Sequence, residues 1–211
     1  MKKSSYDRQA PFQSPSGPLL IVLSGPSGAG KDAVLSRMKE LGYPLEYVTT
    51  ATTRPKRRKE KDGVDYCFVS MEKFQQMLAG NELLEWAQVY GNWYGVPRQP
   101  VEQALETGQD VIVKVDIQGA ATIKTAFPQA VLIFLVPPLM EELTSRLKER
   151  HTESSFDLTL RINTAEEEIK QLPRFDYVVW NKRDEIDLAV KDIEAIIRAE
   201  KCRVNPRAIK S

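Results

Sequence analysis

Leu19-Leu20-Ile21-Val22-Leu23-Ser24 runs straight into Gly25-Pro26-Ser27-Gly28-Ala29-Gly30-Lys31-Asp32, and this stretch decides the fold. Five apolar residues in a row are too few for most helices, and they do not alternate with polar ones. Such a run suits a strand buried on both faces, as in a parallel sheet. Gly25 to Lys31 then fits G-x-x-x-x-G-K. Glycines allow the turn angles that aim successive backbone N–H groups inward. A helix that follows adds its positive N-terminal end, and Lys31 supplies a point charge to the β and γ phosphates. The three fixed letters arise by chance in roughly 5% of chains this long, so position matters. Here they fall between a strand and a helix, where phosphate binding needs them. The loop Gly25, Pro26, Ser27, Gly28, Ala29, Gly30, Lys31 is read as the grip on a nucleoside triphosphate.

The next letter departs from the motif. A Ser or Thr hydroxyl normally binds Mg²⁺ there, and this chain has Asp32. Two readings stay open. The acid complements the helix dipole, or its carboxylate binds Mg²⁺ directly or through water.

Outward from the loop, similar apolar runs recur at Val111–Val113, Val131–Val136 and Tyr177–Trp180. Helical stretches are expected at 31–41, 101–107, 139–150 and 184–201. This alternation predicts an α/β fold, a parallel sheet flanked by helices. Two segments break the rhythm. Residues 46–96 hold short alternating runs and read as a small mixed-strand insertion. Residues 151–172 read as a charged helical excursion, with Ser154 and Asp157 resembling a capping box. Residues 1–17 read as a flexible N-terminal tail, 18–203 as the folded domain and 204–211 as a C-terminal tail.

The chain has 211 residues, enough for one domain with a real core. Thirty basic residues against 29 acidic leave a net charge of +1, which gives no global pull toward nucleic acid or membrane. Any anion site must be local. No apolar run reaches the roughly 18 residues of a membrane helix, and the N-terminus lacks the apolar core of a secretory signal. Cys67 and Cys202 match no metal spacing, and are expected as reduced thiols of a cytoplasmic protein. His151 is the only histidine, so no His-based triad is available.

Several further motifs follow in order: TTATTRPKR at 49–57, DGVDYCFV at 62–69, ELLEWAQVYGNWYGVPR at 82–98, VDIQGA at 115–120, and RLKER at 146–150 with a later Arg161. With SGPSGAGK at 24–31, they make residues 18–203 resemble the guanylate kinase family, a specificity the loop alone does not have. The resemblance implies Mg²⁺-dependent transfer of a phosphoryl group from ATP to GMP, and to dGMP. It places GMP on the insertion. Arg54 and Arg57 would fork onto its phosphate, as guanidinium does well, with Tyr66 and Tyr94 adding phenolic hydrogen bonds. Glu85 would accept from guanine N1–H and the 2-amino group, and Thr50 would donate to O6. Adenine would leave Glu85 facing an acceptor, a mismatch that discriminates strongly. Asp116, at a strand end, is implied on the GMP side. Arg146, Arg150 and Arg161 are implied as lid arginines over the transferring group, within a lid at about 146–172. Asn181 resembles the residue near adenine.

Three positions differ from the commoner family pattern: Asp32 for Ser or Thr, Lys114 for an acid, and Val96 for a hydroxyl residue that contacts guanine. Asp32 and Lys114 are expected to pair, because a buried lysine without a partner is costly. Two rivals remain at this level. A non-catalytic relative of the family would bind phosphopeptides through Arg54, Arg57 and Tyr66, but Lys31 and three candidate lid arginines argue against it. A kinase of another phosphorylated sugar or nucleotide would not need Glu85 with Thr50. The sequence leaves monomer and homodimer open.

Overall fold

Each expected apolar run becomes an inner or edge strand of one parallel sheet. The computed structural model describes residues 17–58, 60–149, 155–207 and 209, with the backbone alone for 155–157. In chain order the strands are β1 (Leu20–Ser24), β2 (Glu46–Tyr47), β3 (Ala51–Thr52), β4 (Cys67–Phe68), β5 (Leu83–Val89), β6 (Asn92–Pro97), β7 (Val111–Lys114), β8 (Val131–Val136) and β9 (Tyr177–Trp180). The main sheet runs β2-β7-β1-β8-β9, with every pair parallel. All residues of β1 and β8 are buried, which is why their sequences are uninterrupted apolar runs.

Alternate residues of β1 face opposite layers. Ile21 and Leu23 point to one cluster, where α1 (Lys31–Glu40) contributes Val34 and Met38 and α7 (Ile186–Lys201) contributes Val190 and Ile193. Leu20 and Val22 point to the other, where α3 (Arg98–Glu106) contributes Val101 and α4 (Ile117–Ala126) contributes Ile123. Because β1 lies between β7 and β8, the loops after β1 and β7 open into one crevice at the carboxyl ends of the strands. Open α/β sheets bind ligands at such a reversal of strand order.

The insertion is a second sheet of order β4-β3-β6-β5, mixed in direction. Helix α2 (Met71–Ala79) backs it, with Ser70 accepting from Lys73 N–H as N-cap at 3.1 Å. Its own core is small: Ala51, Phe74, Met77 and Leu83. Helix α5 (Met140–Lys148) packs on α6 (Ser155–Ile169) over Leu143, Leu147 and Ala165. A fully buried large aliphatic side chain is worth about 1.5–3 kcal/mol. Among the described residues the α5–α6 pair has few of these, so it is held more weakly than the main sheet.

Several boundaries differ from expectation. Glu46–Tyr47 belongs to the main sheet, paired with Val111 and Ile112, so the insertion begins after it. Helix α3 starts at Arg98, not 101; Pro100 sits in the first turn, where its missing N–H costs nothing. Helices α2 and α4 fall outside the expected helical stretches, although Met71, Phe74, Met77 and Leu78 of α2 keep a helical spacing. The expected C-terminal tail is tied down at Arg207, which donates to Glu200 at 3.0 Å and contacts Asp176 at 3.3 Å. Residues 1–16, Arg150, His151 and Ser154 lie outside the described residues.

Candidate active site

The phosphate loop is shaped by packing as much as by its glycines. Gly25 has φ +139°, and a Cβ there would lie 2.0 Å from Leu135 O on the neighbouring strand. No other residue fits. Ala29 N–H donates to Pro26 O at 3.1 Å and closes the turn. The Lys31 ammonium donates to the backbone oxygens of Gly25 and, at 3.2 Å, Pro26, so it curls back over its own loop. Burial depresses its pKa, and nearby acids only partly offset this.

Two residues brace the loop from below. Asn181, 4% exposed after β9, donates its amide to Ala29 O at 2.7 Å. Arg146 donates to Asn181 O at 2.7 Å and approaches Ala29 O at 3.3 Å, while pairing with Glu142. In this conformation both side chains support the loop from outside the crevice. Arg161, in contrast, lines the crevice, 3.5 Å from Ser27 Oγ and over the Tyr90 ring.

The crevice has a volume of about 1030 Å³ including its open mouth, and the phosphate loop forms one wall. The opposite wall brings together Thr50, Arg54, Arg57, Tyr66, Glu85, Tyr94 and Asp116, every residue expected on the GMP side. Arg54 forks onto Glu60 at 2.8 and 3.1 Å and packs over the rings of Tyr66 and Phe68. Arg57 donates its backbone N–H to Glu60 at 2.8 Å, with its guanidinium 3.9 Å away. Tyr66 and Tyr94 stand edge to face with centroids 6.0 Å apart.

Glu85 is 4% exposed, and its Oε2 has no hydrogen-bond partner. Burial, then the charge of Asp116, pushes its pKa to about 8 despite an N–H from Val96. Val96 sits opposite Glu85 in the β-pair, and its side chain is fully buried in the main core. The residue therefore serves packing, and offers the site only its backbone. Thr50 donates its hydroxyl to Lys114 O at 3.1 Å, tying the two sheets together at the crevice. Asp116 is the N-cap of α4, accepting from Gly119 N–H at 2.7 Å. Burial raises its pKa against that bond and the attraction of Lys31.

Asp32 and Lys114 form an ion pair, as their charges led us to expect. The lysine side chain is only 10% exposed and the aspartate 52%. Burial works against the lysine's charge, but Asp32 and Tyr66 together outweigh it and raise the pKa. Lys114 Nζ also lies 3.8 Å from the centroid of the Tyr66 ring.

Sequence reasoning missed three contributors. Glu60 directly follows the basic stretch 54–59, and no local spacing ties it to Arg54. Glu168 lay in a Glu-Glu-Glu stretch of a charged helix; it accepts from Ser27 N–H beside Lys31, and burial raises its pKa. Its Oε2 has no partner. The β5–β6 hairpin adds Tyr90 and Asn92 to the wall. None of the three carries a local pattern that could have flagged it. Among the described residues no cluster of three or more His, Cys, Asp or Glu could hold a metal by itself. Asp32, a half-exposed hard oxygen donor at the loop, does fit Mg²⁺, which in such sites takes one or two carboxylates plus phosphate oxygens.

A phosphate loop facing an arginine–tyrosine basin across one crevice defines a P-loop phosphotransferase acting on a phosphorylated small molecule. Residues 18–200 match the model of the family described as guanylate kinase. The chain is 49% identical over 186 residues to a guanylate kinase of Desulfitobacterium hafniense, covering 88% of this chain and 92% of that one. It is 46% identical over 200 residues to the chloroplastic/mitochondrial guanylate kinase 2 of Oryza sativa subsp. japonica, covering 94% and 70%. The crystal structure of guanylate kinase from Anaplasma phagocytophilum superposes with TM-score 0.75 at 32% identity, covering 90% and 89%. This chain belongs to the guanylate kinase family.

Proposed function

We propose that this chain transfers the γ-phosphoryl group of ATP to GMP, and to dGMP, giving ADP and the guanosine diphosphate. The observation that carries the reading is Glu85, a buried carboxyl with an unpartnered oxygen in the wall facing the phosphate loop. Guanine supplies the two donors that such a group lacks, and adenine does not.

The donor phosphates sit on the N–H groups of Gly25–Gly30 and on Lys31. The acceptor phosphate sits on Arg54, Arg57, Tyr66 and Tyr94, with Asp116 and Thr50 completing the guanosine side. A GMP phosphate oxygen attacks the γ-phosphorus, and the bond to the β-bridging oxygen breaks, its electron pair leaving with ADP. The reaction needs position and charge more than a base. Arg161 stabilises the transferring oxygens, joined by Arg146 and Arg150 as the lid closes and excludes water. Asn181 serves ATP by holding Ala29. Mg²⁺ would be held by Asp32, directly or through water, and would neutralise charge on the ATP phosphates.

The free thiols Cys67 and Cys202 accord with a cytoplasmic setting. Among the described residues no helix is long and apolar enough to cross a membrane. ADP release in a coupled assay tests the reading, with GMP, dGMP, AMP and UMP as acceptors and with or without Mg²⁺. GMP-dependent turnover is expected. AMP serving as well as GMP would overturn the base-recognition argument.

A further inference from the structure

Lys114 is the charged group whose place the reaction above leaves unexplained. It ends β7, between β2 and β1, so its side chain rises from the floor of the crevice. Its ammonium touches one residue from each wall. Asp32 belongs to the helix that carries the phosphate loop, and Tyr66 belongs to the acceptor basin. The side chain lines the crevice together with Lys31.

Packing alone does not call for a charge at this position. Lys114 is 10% exposed and Asp32 52%. The carboxylate is wet enough to stand alone, so the lysine gains more from the pair than the aspartate does. Burial takes water from the ammonium, and it stays charged only because Asp32 and Tyr66 together replace that water, whereas an apolar residue would fill this position with no charge to stabilise. Two ammonium groups, Lys31 and Lys114, also line one crevice, where they repel each other until an anion lies between them. A polyanion satisfies both.

We propose that Lys114 is a catalytic residue that bonds phosphate oxygens where donor and acceptor meet, Asp32 holding its ammonium until the nucleotides arrive. The proposal rests on the ATP-to-GMP reading. It assigns Lys114 to the transferring group, so its loss lowers kcat more than it raises either KM. The charge that gathers on the oxygens between the two nucleotides is greatest when both are bound.

The test uses the full chain and four variants, Lys114→Met, Lys114→Arg, Asp32→Asn, and Asp32→Asn with Lys114→Met. Wild-type turnover of ATP with GMP is read first; its absence would refute the function, not this assignment. In Lys114→Met, kcat should fall about 10- to 100-fold, the range expected for one charge-assisted bond. Lys114→Arg should recover part of the loss. The probe for contact is a bisubstrate analogue, adenosine and guanosine joined through five phosphates, titrated by calorimetry. Its affinity should fall about tenfold or more in Lys114→Met, while GMP alone changes less than about threefold. A kcat within twofold of wild type, or equal losses for the analogue and for GMP, overturns the proposal. Should Lys114→Met fail to fold, the double variant leaves no buried charge unpaired and is compared with Asp32→Asn alone. A further drop of about tenfold supports the contact. Equality of the two means that Lys114 only balances Asp32, and the proposal is wrong.

Discussion

The two walls of the crevice are built in opposite ways. The donor wall is backbone: consecutive N–H groups of Gly25–Gly30, wedged against Leu135 and pinned through Ala29 O by Asn181. The acceptor wall is side chains, drawn from residues 50 to 116 and set largely by a separate sheet with its own small core, with Asp116 added from the N-cap of α4. A carboxylate also bonds among the anion-binding groups on each side, Glu168 beside Ser27 and Lys31, and Glu60 behind Arg54 and Arg57. A backbone site is rigid and indifferent to which nucleoside carries the phosphates. A side-chain site can read a base, and it can be adjusted one residue at a time. Variants on the two walls should therefore fail differently.

The largest effect is expected on the donor wall. Lys31→Met removes the charge that we propose meets the β and γ phosphates, together with its bonds to the oxygens of Gly25 and Pro26. kcat should fall about 10²- to 10³-fold, the usual cost of one preorganised transition-state contact, with the melting temperature little changed. A loss of folding instead would mean that the bonds from Lys31 to Gly25 and Pro26 hold the loop together.

The acceptor wall should show its weakness in specificity. Glu85→Gln should lower kcat/KM for GMP by about 10²-fold and narrow the preference over AMP, because the amide can no longer accept both guanine donors. The same carboxyl predicts two opposite pH trends. In the free protein it keeps its proton until about pH 8, whereas an unfolded glutamate loses it near 4.3. Between those values the unfolded chain binds fewer protons, so stability falls as pH rises. Guanine requires the ionised carboxylate, so GMP affinity rises over the same interval, by at most about tenfold per pH unit. Calorimetry in buffers of different ionisation enthalpy should detect proton release on GMP binding below pH 8. Binding with no proton release would show that Glu85 is already ionised.

Next comes the brace. Asn181→Ala removes a buried bond worth about 1–2 kcal/mol from beneath the loop. ATP should bind about 5- to 30-fold more weakly, and GMP within twofold of wild type. Equal loss for both nucleotides would mean that the walls are not independent.

The same contrast explains what could be read from the chain before its structure. The donor wall was legible because its mechanism occupies consecutive residues, Gly25 to Lys31, between a buried strand and a helix. The buried strands were legible because burial on both faces leaves an uninterrupted apolar run, as in Val131–Val136. The acceptor residues were legible only as a set of spaced motifs; Tyr66 or Glu85 alone looks like packing or surface. Strand β2 was lost because two half-buried residues carry no period. Glu60 and Glu168 were lost because each gains its meaning from a partner brought close by folding. Arg146 and Asn181 were found, but the side of the loop on which they sit could not be read from spacing.

The smallest effect, and the finest test of the comparison, is Glu60→Gln. Glu60 plays two opposed parts. Its carboxylate orients Arg54 through two bonds and anchors the Arg57 backbone, which favours a phosphate that follows. It also occupies the guanidinium fork that the phosphate needs and repels a dianion brought near it. Glutamine keeps one acceptor oxygen, so the Arg57 anchor and one bond to Arg54 can survive, while the negative charge is lost entirely. Competition should then weaken more than orientation does. We expect KM for GMP to fall about two- to fivefold, within the range for a partly exposed ion pair, with kcat and KM for ATP unchanged. A rise in KM for GMP would mean that an acceptor wall made of side chains depends on its internal anion to stay assembled. Its rigidity would then be closer to that of the backbone wall it faces.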